Sequence, residues 1–296
     1  MNTTEQQERA GMPHKEIKRN KPVMPDAGMP LISVITVTFN AAEHLPDTLK
    51  TIRAQDYPNV EWIVIDGGST DGTLDLLRAN EDLIDYWLSE PDRGMYDALA
   101  KGFARVSGEI VCWLNAGDIF LNGALSTVAE VFQTHPETNW ITGIHFWHLP
   151  GCRVIGSFIP PAYNSDLIGC GAYGKVLPYI QQESTFFRRS MLGSVNIEKI
   201  RGFKLAGDLY LWSCFAKHDS LTLVCAGLGS FCIHEGQLSA DKRSYWKEAD
   251  TFLDRITLAS WIKILLKMPL KNAPIRFKKW MAGDAMLAWV KDRGWV

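Results

Sequence analysis

Three short polar clusters carry the chemistry legible in this 296-residue chain: Thr38-Phe-Asn40, Asp66-Gly-Gly-Ser69 and Asn115-Ala-Gly-Asp118. Each follows a run of apolar residues that reads as a buried strand, and ligands of open α/β sheets sit beyond the carboxyl ends of such strands. A carboxylate at that point can hold a nucleobase or a ribose hydroxyl, as Asp66 could, or a divalent cation, as Asp118 could. Oxygen ligands without Cys or His favour Mg²⁺ or Mn²⁺, either of which would bridge phosphates. Gly67, Gly68 and Gly117 let backbone approach a ligand closely. An Asp that ends a strand before Gly is also a common turn former, so neither carboxylate alone decides the matter. No G-x-G-x-x-G follows the first strand and no G-x-x-x-x-G-K-[ST] occurs anywhere, which removes the dinucleotide and P-loop phosphate cradles. What remains is a nucleotide site built from carboxylates, a metal and Arg93.

The elements that must position these clusters alternate. Leu31–Phe39 is β-branched and apolar on both faces, Val60–Ile65 repeats the pattern, and Tyr86–Leu88 and Glu109–Leu114 supply two more strands. Between them, Leu45, Leu49 and Ile52, then Leu74 and Leu77, then Met95, Leu99, Phe103 and Val106 recur at helical spacing. A further helix carries Leu125, Val128, Val131 and Phe132. The pattern predicts an α/β fold with a mostly parallel sheet flanked by helices. Beyond Asn139 it becomes irregular, with strands expected near Trp140–Trp147 and Arg153–Phe158 and a helix around Asp208–Ala216.

Composition bounds the class. With 31 Lys+Arg against 33 Asp+Glu the net charge is -2, which argues against a protein built to coat nucleic acid. The six cysteines lack metal-ligand or disulfide spacing and read as reduced structural thiols of a cytoplasmic protein. Residues 1–29 read as a floppy leader, and no uncharged run is long enough to span a membrane. The eleven tryptophans are the one anomaly.

Four segments then occur in the order seen in family 2 glycosyltransferases. They are Ile32–Asn40, Trp62–Thr73, Ser89–Gly102 and Ser107–Asp118, and the likeness runs from about Pro30 to Ser239. The chain most resembles the bacterial colanic-acid-type members that build surface polysaccharides. The resemblance implies a GT-A fold, with a donor-binding half over 30–120 and an acceptor half over 121–240. It implies that Asp66 contacts the nucleobase beside Thr38, Phe39, Asn40 and Gly67, and that Arg93 meets the diphosphate. It places Asn115 on the donor side and Asp118 as the metal ligand, with His234 a weaker second ligand or a plain surface histidine. Ile180–Arg189 is similar to a His-Gln-x-x-Phe-Phe segment near the acceptor, with Gln181 in place of His, and puts Gln182 and Glu183 on that side. Leu205–Trp212 is similar to the Glu-Asp segment whose Asp is the catalytic base; Gly207 replaces the Glu and Asp208 is kept. An Asp there could equally be an N-cap.

Two departures matter. Asn115 and Gly117 stand where relatives carry acids, so Asp118 alone offers a charged ligand in that motif, and Ala100 stands where many carry Asn. Arg188-Arg189 reads as a solvated face or a diphosphate contact. From Arg255 through Gly283 seven cations and no acid are interleaved with Trp261, Phe277 and Trp280. That basic amphipathic arm within 241–296 suits an anionic membrane surface, or packs on the domain or a second subunit. The expected activity is inverting, Mn²⁺- or Mg²⁺-dependent transfer from a nucleoside-diphosphate sugar to a glycan or lipid-linked acceptor, at the cytoplasmic membrane face. A non-catalytic sugar-nucleotide binder and a nucleotidyltransferase are the alternatives.

Overall fold

The structure, a computed structural model, describes the backbone of residues 14–18 and residues 28–235, 237 and 240–296. Most of the expected leader lies outside the described residues. Within it, β1 (His14–Lys18) pairs antiparallel with the sheet edge.

β2 (Ile32–Thr38), β3 (Val60–Asp66), β4 (Tyr86–Ser89) and β5 (Ile110–Trp113) form the parallel heart of the sheet, with β2 between β3 and β5. Every residue of β2 is buried, which is why its sequence is apolar on both faces instead of alternating. Ile32 and Val34 face a core with α1 (Leu45–Arg53), α2 (Thr73–Ala79) and α4 (Ala124–Thr134), whereas Ile35 and Val37 face a second core with α3 (Met95–Phe103). The register sets Thr38 beside Asp66 and Asp66 beside Ser89, so three strands end level with one another.

The second half departs from parallel order. β6 (Ile119–Phe120), β7 (Trp140–Leu149), β8 (Arg153–Phe158), β9 (Thr185–Arg188), β10 (Thr222–Gly227) and β11 (Gly229–Cys232) complete it. β9 wedges antiparallel between β5 and β7, and β11 runs parallel to β7 while pairing antiparallel with β6. Arg188 is not turned to a ligand. It bonds the carbonyls of Phe132 and Thr138 and pairs with Glu109, latching β9 to its neighbours.

α5 (Gly207–Phe215) is buried almost all round. Its Trp212 ring stacks between Trp113 at 5.3 Å and Trp140 at 5.8 Å, so the surplus tryptophan is largely core: Trp62, Trp87, Trp113, Trp140 and Trp212 are each at most 2% exposed. All six cysteines are unpaired.

The C-terminal segment holds α6 (Lys242–Ala249), α7 (Leu258–Lys267) and α8 (Ile275–Ala282), then returns to the sheet as β12 (Met286–Leu287), parallel to β10, before a β13 (Trp289–Val290) and β14 (Gly294–Trp295) hairpin. Its cations are turned inward more than a solvated basic face would require. Lys263 pairs with Asp166, Lys267 Nζ donates to the Ala162 carbonyl at 2.6 Å, and Lys278 Nζ donates to Ile159 O at 2.6 Å. Beside the exposed Lys271 and Arg276, much of what faces outward is apolar, including Trp261, Leu265, Leu266 and Trp280. No helix among the described residues is long and apolar enough to cross a membrane. Replacing the stacked indole by Trp212→Ala is expected to cost about 3–5 kcal/mol, read as a lowered urea midpoint at unchanged slope.

Candidate active site

Asp66 is fully buried and its carboxylate is saturated. Oδ1 accepts from the hydroxyls of Thr38 at 2.8 Å and Ser69 at 2.5 Å. Oδ2 accepts from the Ser89 hydroxyl at 2.7 Å and the Gly68 and Ser69 amides at 3.0 and 2.8 Å. Five donors from three strand ends meet on one side chain, so Asp66 and Thr38 act here as a tie that levels the floor of the site. Above that floor, Asn40 adopts a left-handed conformation (φ 47°) and its side chain accepts from Thr70 N at 2.9 Å. Phe39 is left 66% exposed at the mouth. A Cβ on Gly67 would fall 2.7 Å from Asp92 Oδ2, so glycine is what lets the Asp92 carboxylate lie against this turn. Asp92, which sequence reasoning did not single out, is held up in pKa mainly by burial. Arg93 is largely exposed and 3.5 Å from Asp97, whose other oxygen takes Arg201 at 2.8 Å.

The Gly117–Asp118 turn is fixed from several elements. Thr48 of α1 accepts from Gly117 N at 2.9 Å and donates to Asp118 O at 2.8 Å. His148 Nε2 lies 3.1 Å from Gly117 O, and Cys232 N donates to Asp118 Oδ1 at 2.9 Å. Burial holds the Asp118 carboxyl up at about 7. Asn115 Nδ2 donates to Gln182 Oε1 at 2.9 Å and contacts Asp118 Oδ2 at 3.4 Å, joining donor-side and acceptor-side loops. Asn115 Oδ1 and Glu183 Oε1 are buried with no hydrogen-bond partner among the described residues. Acceptor oxygens without donors are the set a hard divalent cation takes, and Asn115 Oδ1 belongs to the same turn as the Asp118 carboxylate, so this pair fits the expected metal. Glu183 is pushed well above the usual carboxylate range by burial, then by the charge of Asp118 and, more weakly, that of Asp208. His234 stacks on His44 with centroids 4.3 Å apart, and its Nδ1 bonds Glu235 O at 2.7 Å, leaving Nε2 as the nitrogen able to ligate.

Asp208 is the second residue of α5, whose N-terminus has no side-chain cap, so the capping alternative does not describe it. Its Oδ1 accepts from Tyr245 Oη at 3.0 Å and lies 3.3 Å from Tyr96 Oη. Burial raises its pKa to about 6. Trp212, four residues on and therefore on the same helix face, anchors this turn in the indole stack. Glu248 of α6 accepts from Leu205 N at 2.8 Å and Ala206 N at 2.7 Å, fixing the approach to α5. Tyr245 and Glu248 lie beyond the boundary expected at residue 240 and were not read as site residues; their spacing on one helix face, beside an otherwise polar run, was the available clue.

A curled sheet with a parallel heart and helices on both faces, an Asn-x-x-Asp turn after β5 and a carboxylate opening α5 make up a GT-A-type fold. Residues 33–147 match the family model described as Glycosyl transferase family 2. An uncharacterized glycosyltransferase of Mycobacterium tuberculosis is 34% identical over 178 residues, 60% of this chain. The aligned stretch spans 63% of that relative's own length. A PGL/p-HBAD biosynthesis glycosyltransferase of Mycobacterium bovis is 28% identical over 89% of this chain and 99% of its own. Among solved structures, S. aureus TarS (residues 1–349, with UDP-GlcNAc) is similar at TM-score 0.56 and 12% identity, over 84% of this chain and 69% of that one. A mannosyltransferase from Pyrobaculum calidifontis, solved with GDP-Man and Mn²⁺, matches at TM-score 0.54 and 20% identity, over 90% and 77% of the two chains.

Asp66→Ala strips five donors of their acceptor in a dry site, so it is expected to lower stability by roughly 2–5 kcal/mol in chemical denaturation. Unchanged stability would mean that Asp66 is not the tie between the strand ends.

Proposed function

We propose that this chain is an inverting, divalent-metal-dependent glycosyltransferase that moves a sugar from a nucleoside-diphosphate donor to a hydroxyl of a glycan or lipid-linked acceptor during surface-polysaccharide assembly. The observation that carries the reading is Asp208: a partly buried carboxylate with a pKa near 6, held by two tyrosine hydroxyls on the rigid start of α5. That pKa leaves it ionised at neutral pH yet more basic than an ordinary aspartate, which is what a general base requires.

In this reading the exposed Phe39 ring is a platform for the nucleobase, and Asp92 a polar partner beside it, because Asp66 has no oxygen left to offer. Arg93, free of a tight ion pair, meets the diphosphate. Asp118 with Asn115 would hold the cation, which when bound offsets charge on the departing diphosphate. Asp208 accepts the proton of the acceptor hydroxyl as its oxygen forms the bond to the anomeric carbon. The bond from that carbon to the phosphate oxygen breaks, and the electron pair leaves with the nucleoside diphosphate. A single in-line displacement of this kind inverts the anomeric centre. The complexes of neighbours with UDP-GlcNAc and with GDP-Man and Mn²⁺ support a sugar-nucleotide donor and a metal.

The base must be ionised to act, so kcat/KM is expected to fall as pH drops through about 6. Asp208→Asn should abolish that limb and lower turnover by roughly 10²–10⁴-fold. Asp118→Ala should lose donor turnover as well; undiminished rates in both variants would overturn the assigned roles.

The outward apolar face of α7 and α8, in a stretch with no acid from 255 to 283, supports peripheral contact with an anionic membrane, which would bring a lipid-linked acceptor to the site. Co-sedimentation with phosphatidylglycerol vesicles should be strong for the native chain and weak for Trp261→Ala/Trp280→Ala; equal pelleting would sink this part.

A further inference from the structure

Resting on the metal-dependent reading above, we propose that Glu183 supplies the second carboxylate toward the divalent cation held by Asp118, standing in for the acid that Asn115 lacks.

Glu183 is 3% exposed and its Oε1 has no partner among the described residues. Leaving a carboxylate oxygen buried and unbonded costs stability, and such a group persists where something else satisfies it. No lysine, arginine or hydroxyl answers it in the described residues. Its charged neighbours are Asp118 and Asp208, both of its own sign. A second orphan oxygen, Asn115 Oδ1, belongs to the loop that also carries Asp118, and that loop is bonded to Gln182, the residue before Glu183. Two like-charged carboxylates and an amide oxygen, all acceptors, with Asn115 Oδ1 and Glu183 Oε1 lacking donors, describe a hard-cation site better than an acceptor-sugar site, which would need donors as well.

The chain also takes care to keep Glu183 in place. A Cβ on Gly229 would stand 2.1 Å from Glu183 O, so β11 passes against this backbone only because glycine is there. Ser184 Oγ bonds both Gly229 N and Gly229 O at 3.1 Å. Gln181 brackets β7, accepting from Phe146 N at 2.9 Å and donating to Phe146 O at 2.6 Å. The same β11 delivers Cys232 N to Asp118 Oδ1. One strand thus holds the Asp118 turn and the Glu183 turn in fixed relation.

The test is Mn²⁺ binding to the full chain without donor, by titration of free Mn²⁺ in electron paramagnetic resonance and by the Mn²⁺-induced shift in melting temperature. Glu183→Gln keeps shape and removes charge. It should melt higher than the native chain without metal, and bind Mn²⁺ at least about 10-fold more weakly. Glu183→Asp, which keeps the charge, should fall between the two. Native Mn²⁺ affinity in folded Glu183→Gln, with Asp118→Asn alone losing the metal, overturns the proposal and leaves metal dependence standing. Lowered turnover at native Mn²⁺ affinity overturns it too, making Glu183 an acceptor contact. No Mn²⁺ binding by the native chain, with turnover intact in a chelator, removes metal dependence and this role together.

Discussion

Everything proposed for this site hangs from a two-residue turn, Gly117–Asp118, that no single element could hold. Its amide is taken by Thr48 from α1, its carbonyl faces His148 from β7, and its carboxylate receives Cys232 N from β11. A turn after a short strand would otherwise sample many conformations, each ordered residue costing on the order of 1–2 kcal/mol. Bonds from three elements remove that freedom before any ligand arrives, and Gly117 at φ 103° supplies the left-handed step that aims the carboxylate inward.

The acids of the site differ in how fully they are answered. Asp66 has five donors and Asp97 two arginines, and both serve the scaffold. Asp118, Glu183 and Asp208 are buried or partly buried, with pKa values raised by desolvation. Keeping three such carboxylates destabilises the ligand-free fold, since each would be better solvated or paired. The stability comes from elsewhere, chiefly the two apolar cores on either face of β2 and the indole stack under α5. Strain concentrated at one end of a sheet and offset in its core is the physical pattern of a functional site.

The parallel heart was legible because its strands are buried on both faces and advertise this as continuous apolar runs: β2, β3, β5 and the helices between them stand where the spacing puts them. β6 and β12, at two residues each, carry no period at all, and β9 is four residues inside a segment read for its chemistry. The inward turn of Lys267 and Lys278 was hidden because periodicity reports side-chain type, and a long cation can reach back to a carbonyl as readily as to water. Asp66 shows the opposite limit: strand-end position marks it as important without saying whether its oxygens face a ligand or the protein.

The proposed base illustrates why a site cannot be cut out of its chain. Asp208 sits in the expected segment, but its proton affinity is set in part from outside that segment. Tyr96 reaches it from α3 and Tyr245 from α6, while Glu248 holds the strand of backbone that leads into α5. Tyrosine hydroxyls bond the ionised carboxylate and lower its pKa, whereas burial raises it, and the balance falls near 6 because burial is the larger effect. Backbone at Leu209, Tyr96 from α3 and Tyr245 from beyond residue 240 therefore act together on one proton affinity. α6 of the C-terminal segment is in this respect part of the candidate site, because its Tyr245 hydroxyl bonds the Asp208 carboxylate.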